Sequence, residues 1–95
     1  MLTFPIKKQW FDMIKSGEKK EEYRELKPFY ISRLGALQGQ IIDVCLRNGY
    51  SSSSPSLIAS CEVTTGAGLK AWGAIPGKYY FVLKILSVKR VPKEV

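Results

Sequence analysis

Three side chains in one short stretch have the types and spacing to hold a polar or anionic ligand. They are Lys19, Glu22 and Arg24, set behind Gly17 in the run Ser16-Gly17-Glu18-Lys19-Lys20-Glu21-Glu22-Tyr23-Arg24-Glu25. Glycine lets the backbone turn sharply and come close to a ligand. An ammonium or guanidinium held by a nearby carboxylate is oriented, and can then meet a phosphate or a base edge. In this reading Arg24 meets an anionic or carbonyl group and Lys19 supplies a second cation. Glu22 orients the two cations or accepts from an exocyclic amine. The alternative is a solvent-exposed charged ladder, the common fate of such runs. A second constellation is Arg47-Asn48-Gly49-Tyr50. A basic residue, an amide and an aromatic at a strand end can contact a phosphate, read a base edge and stack on a base. The alternative is an ordinary turn with Tyr50 packed on the core. Trp10 and Trp72 are expected in the core, where large aromatics dominate small domains.

Composition narrows the chemistry. The chain has no histidine, so the usual general base near neutral pH is missing. A reaction would have to run through Lys, Glu, Tyr, Ser, Thr or Cys. Cys45 and Cys61 are too few and too far apart for a disulfide framework or a zinc site, and read as reduced core residues. No metal or cofactor is expected. The net charge is +7. Five of the eight acids fall between Asp12 and Glu25, so elsewhere eleven basic residues face only Asp43, Glu62 and Glu94. Such a surface favours polyanions, nucleic acids first among them, although many small proteins are basic and merely soluble. Lys7 and Lys8 suit a basic rim. Lys84, Lys89, Arg90 and Lys93 are expected on exposed strand faces and the tail. No apolar run approaches the ~20 residues of a membrane helix. The N-terminus lacks a basic segment followed by an apolar one, so a cytoplasmic protein without a membrane partner is expected.

The elements that would position these residues follow from periodicity. Leu2, Phe4 and Ile6 alternate as a strand, with Pro5 tolerated at a sheet edge. Apolar residues at 10, 11, 13 and 14 predict a short helix that Gly17 stops. The segment 19–25 has helical propensity but no apolar stripe. As a strand it puts Lys20, Glu22 and Arg24 on one face and Glu21, Tyr23 and Glu25 on the other. So polar a strand cannot be a plain core strand. Pro28 opens a second helix toward Leu37. Strands are predicted over Ile41 to Arg47, Leu57 to Thr64 and Tyr79 to Val91, the last ended by Pro92. Ser51 to Ser56 and Thr65 to Gly68 read as loops. Helices early and strands late make an α+β domain, with a small sheet curling to cover its own edges.

The pattern Gly17-x-Lys19-x-x-Glu22-x-Arg24 after a short amphipathic helix resembles the signature of the ASCH domain family, part of the PUA-like superfamily. The helix from Pro28-Phe29-Tyr30 to Leu34, Arg47-Asn48-Gly49-Tyr50 at a strand end, and Trp72-Gly73 leading to Tyr79-Tyr80 extend the resemblance over essentially the whole chain. It implies one domain over residues 1–95. That domain would be a small β-barrel of roughly five or six mixed strands, with two short helices flanking a cleft that holds the motif. It also implies binding of RNA or of a nucleotide-like ligand, with Gly17, Lys19, Glu22, Arg24, Arg47, Asn48 and Tyr50 as the binding set. Some members resemble amidohydrolases of acetylated cytidine nucleosides, which use a Lys and a Thr of this motif and a distant Glu. The Lys would be Lys19. Glu22 stands at the Thr position and cannot act as a hydroxyl nucleophile, and the segment bearing the distant Glu is missing. Other members are proposed ribonucleases. A protein-interaction module remains as a further alternative.

Overall fold

The computed structural model describes residues 1–90. The expected strand end at Val91, Pro92 and the basic Lys93 lie outside the described residues. In chain order the elements are strand β1 (Leu2–Pro5), helix α1 (Lys8–Lys15), strand β2 (Glu21–Glu25), helix α2 (Pro28–Leu34) and strand β3 (Ile41–Arg47). Strands β4 (Ser56–Ala67) and β5 (Tyr79–Arg90) complete it, with short 3₁₀ turns at Gly35–Leu37 and Lys70–Trp72. The class is the expected α+β. The sheet has five strands in the order β1-β3-β4-β5-β2. It is mixed: β1 runs parallel to β3, and every other pair is antiparallel.

β1 and β2 are therefore opposite edges of one sheet. Even so, Arg24 on β2 donates from Nη2 to the carbonyl of Pro5 on β1 at 3.1 Å, and its guanidinium lies 5.0 Å from the Phe4 ring centre. Contact between the two outermost strands requires the sheet to curl through its full width into a half-barrel. A side chain, not a backbone ladder, bridges the gap. Pro5 suits that edge, because a residue with no N–H loses nothing where no neighbouring strand would receive it.

The core lies inside the curl. β4 alternates strictly, with Leu57, Ala59, Cys61 and Val63 buried and the residues between them half-exposed, as a period of two demands. Phe4, Val44, Leu46, Phe81 and Leu83 meet this face, and Phe11 and Ile14 of α1 and Leu34 of α2 close it. Full burial of Leu34 is worth about 2 kcal/mol. α2 starts at Pro28, and Lys27 before it is extended at ψ 163°, because the proline ring disfavours helical geometry in the preceding residue.

Two expectations change. β4 continues through Thr65, Gly66 and Ala67, predicted as a loop, and these residues pair with Phe81, Tyr80 and Tyr79. Ladder hydrogen bonds to a strongly β-forming partner outweigh a locally weak sequence. The second helix is α only to Leu34 and tightens into the 3₁₀ turn Gly35–Leu37. No helix among the described residues is long and apolar enough to cross a membrane.

Candidate functional site

Lys19 is set by the end of α1. The helix closes at Ser16, whose N–H bonds to Asp12. Gly17 then takes a left-handed φ of +85°, a conformation other residues adopt only with strain. The turn brings the Lys19 N–H onto the Met13 carbonyl at 2.9 Å and sends the side chain inward, where the residue is only 1% exposed. All three ammonium hydrogens find acceptors. They go to the Glu21 carbonyl, to the Trp72 carbonyl at 2.8 Å and to Glu22 Oε1 at 3.2 Å. The Trp10 and Tyr23 rings flank the charge at 5.4 and 4.7 Å. Burial lowers the Lys19 pKa from its ordinary value, and the Glu22 carboxylate opposes that shift.

Glu22 and Arg24 share the inner face of β2, as alternation over 19–25 predicts. Glu22 Oε2 accepts from Arg24 Nη2 at 2.6 Å. Each carboxylate oxygen thus serves one cation, so Glu22 takes the orienting role of the two expected for it. Arg24 donates further to Pro5 and to the Tyr30 hydroxyl at 3.4 Å, while its buried Nε has no hydrogen-bond partner among the described residues. Two cations share one carboxylate, leaving the cluster one positive charge in excess. With side-chain exposures of 0%, 8% and 11% for Lys19, Glu22 and Arg24, such a charge is screened less than a surface charge.

Glu22 and Arg24 of this cluster line a cleft of about 600 Å³, within the usual ~300–1,000 Å³ of small-ligand sites. Trp10, Tyr23, Tyr30 and Trp72 wall it, and Lys7, Asn48, Gly49 and Tyr50 form its rim. Tyr23 fixes one wall. Its hydroxyl donates to Glu21 Oε1 at 2.8 Å and accepts from the Leu69 N–H at 2.9 Å, anchoring the segment that ends in Trp72. Burial pushes its pKa up to about 12; the Leu69 N–H works against the shift and Glu21 with it. Gly73 packs at φ +102° against Trp10, where an added Cβ would lie 3.1 Å from the indole Cζ2.

Of the residues singled out from sequence, Glu22, Arg24, Asn48 and Tyr50 meet in this cleft. Gly17 sits outside it, as the turn that aims Lys19 inward. Lys19 lies behind the wall, its hydrogens directed at protein acceptors. Arg47 ends β3 half-buried, does not line the cleft, and has a buried Nε without a partner among the described residues. Tyr50 is 91% exposed, which rules out the alternative of packing on the core. Trp10 and Trp72 correct the sequence reading. Neither belongs to the buried core; both are half-exposed in the cleft. The Lys19 ammonium and the close Gly73 backbone adjoin the Trp10 ring, and the bond from Lys19 to the Trp72 carbonyl ties down Trp72. Tyr23 and Tyr30 are not among the expected binding set; the signal that could have found them is their position, Tyr23 inside the charged run and Tyr30 in the helix that follows it. Among the described residues, no group of three or more His, Cys, Asp or Glu side chains is placed to hold a metal ion. No family model, curated protein or solved structure matches the chain.

Proposed function

We propose that the cleft binds RNA or a nucleotide-like ligand, in the manner of an ASCH-type domain of the PUA-like superfamily. The observation that carries this reading is the pairing of aromatic walls with the Arg24–Glu22 ion pair in the cleft lining, backed by the buried Lys19 ammonium on the other Glu22 oxygen. A flat base has four rings to stack on, and its phosphate meets an excess of positive charge. Asn48 at the rim carries both a donor and an acceptor for a base edge, and the exposed Tyr50 offers a further stacking face. The buried, free thiols of Cys45 and Cys61 accord with a cytoplasmic setting.

A hydrolase acting through Lys19, whether ribonuclease or amidohydrolase, has less behind it. Its ammonium already has an acceptor for every hydrogen, and Glu22 occupies the position where that chemistry needs a hydroxyl. Binding of labelled single-stranded RNA across a salt series tests the proposal. Affinity should fall steeply and linearly on a log–log plot. Tyr50→Ala should lose about tenfold in affinity, the low end of one base stacked on an aromatic, while unfolding at the same denaturant concentration. Absence of affinity at low salt would instead favour a protein-interaction module, and equal binding by Tyr50→Ala would move the site away from this cleft.

A further inference from the structure

The inward turn of Lys19 leaves one edge of the sheet open. β2 covers β5 only from Tyr80 to Lys84, with one more bond from the Ile85 N–H to the Lys20 carbonyl at 2.9 Å. At Lys19 the chain leaves the sheet to bury its ammonium. Beyond Ile85, no described strand flanks the outer side of β5. The other side stays paired with β4 as far as Arg90, so this half of β5 is a firmly held strand whose outer edge is unpaired among the described residues.

The pairing identifies the open groups. The main-chain groups of Ile85 point to the outer edge, since its N–H reaches the Lys20 carbonyl. The register then shifts: Cys61 pairs with Ile85, but Ser60 pairs with Ser87, leaving Leu86 as the extra residue of a bulge. Antiparallel alternation from Ser87 turns the main-chain groups of Val88 and Arg90 outward. A groove of about 200 Å³ runs along this edge, bounded by Ile14, Gly17 and Lys20 on one side and the segment from Ile85 to Val88 on the other. Its floor is apolar, with Ile85 and Val88 packed on the core and Leu86 58% exposed. Lys20 lines it, and Lys15 and Lys89 adjoin the lining residues Ile14 and Val88 in the chain; all three are exposed and form no ion pair among the described residues, against the single nearby acid Glu18.

We propose that the outer edge of β5 from Ile85 to Arg90 accepts an extended acidic peptide of a partner protein as an added strand. Such a strand would pair with Val88 and Arg90, set apolar side chains over Leu86 and Val88, and place carboxylates among Lys15, Lys20 and Lys89. Charge selects this occupant. A second copy of a chain with net charge +7 would bring Lys89 and Arg90 against like charges, and edge lysines are a common guard against self-pairing. The same charges attract an acidic strand. A nucleic acid would satisfy the charges but neither the open main-chain groups nor the apolar floor. The proposal is independent of the ligand in the aromatic cleft.

The probe is a short capped peptide alternating valine and glutamate, titrated into the isotopically labelled protein. Two control peptides accompany it: one N-methylated along a single edge, and one with lysine in place of glutamate. The parent peptide should shift amide resonances from Ile85 to Arg90 and slow exchange of the Val88 and Arg90 amides. The N-methylated peptide keeps the charge but cannot pair, and should fail, as should the lysine peptide. Lys20→Glu with Lys89→Glu should weaken binding about tenfold in a variant whose spectrum otherwise remains folded. Equal binding by the N-methylated peptide would reduce the effect to charge and overturn the proposal. So would shifts confined to the Trp10 and Trp72 cleft, absence of binding, or a dimer of the free protein with these amides already protected.

Discussion

The Lys19 ammonium stands 3.2 Å from Glu22 Oε1, with side-chain exposures of 0% and 8%. A motif that reads as a ligand-facing pair is thus an interior ion pair, and it ties three segments together. Lys19 comes from the turn after α1, Glu22 from β2, and the Trp72 carbonyl from the 3₁₀ turn that walls the cleft.

Removing the ammonium should therefore unfold the site before it tests the ligand. Lys19→Met keeps an unbranched chain as far as Cε but leaves the Trp72 and Glu21 carbonyls and one Glu22 oxygen without the ammonium donor. Breaking a buried pair in this way costs about 3 kcal/mol or more, with Arg24 still holding the other oxygen. Urea unfolding measures it, and Lys19→Met combined with Glu22→Gln should recover part of the loss. A loss below about 1 kcal/mol in the single variant would show that the Lys19 bonds are not structural.

The two left-handed glycines should behave differently. At Gly17 (φ +85°) an added Cβ meets nothing within 4 Å, so Gly17→Ala carries backbone strain alone, about 1 kcal/mol, and should leave RNA affinity unchanged. At Gly73 (φ +102°) the Cβ would also press on Trp10 at 3.1 Å. Gly73→Ala should cost about 2 kcal/mol, shift the tryptophan fluorescence and weaken binding. Equal effects at the two positions would mean that Trp10 is free to move aside.

Alkaline stability should bear the mark of Cys61. Its thiol is raised from 9.0 to about 11, first by burial and then by the Asp43 carboxylate. Between those values the unfolded chain has lost the proton and the folded chain keeps it, so stability falls as pH rises from 9 to 11. Tyr23, raised from 10.0 to about 12, extends the fall. Lys19 acts in the opposite sense: its lowered pKa makes the folded state the weaker proton binder, which raises stability with pH below the ordinary 10.5. Cys61→Ala should be somewhat less stable at neutral pH and flatten the fall by roughly 2 kcal/mol. Chemical denaturation at pH 8 and pH 11 measures the difference, and parallel pH profiles for the two proteins would refute it.

Local signals located much of this molecule. Gly17 ended α1, Pro28 opened α2, and β3 runs from Ile41 to Arg47 as its apolar pattern indicated. The alternation at 19–25 put Glu22 and Arg24 on one face, which is where they lie. The 65–67 segment was misread because its β pairing depends on Tyr79, Tyr80 and Phe81, distant in sequence. Trp10 and Trp72 were misread because apolar character alone does not tell a core position from a cleft wall.

By itself the sequence determined the elements, the excess of positive charge and the residues that cluster around Glu22, because helix periodicity, strand alternation and turn chemistry act over a few neighbouring positions. Only the tertiary structure decided that Lys19 faces inward, that Arg24 spans two sheet edges to reach Pro5, and that Asn48 and Tyr50 share a cleft with two tryptophans. Those outcomes depend on which distant acceptors and rings the curl of the sheet brings within reach. A charged side chain buries itself only where such partners offset the loss of water.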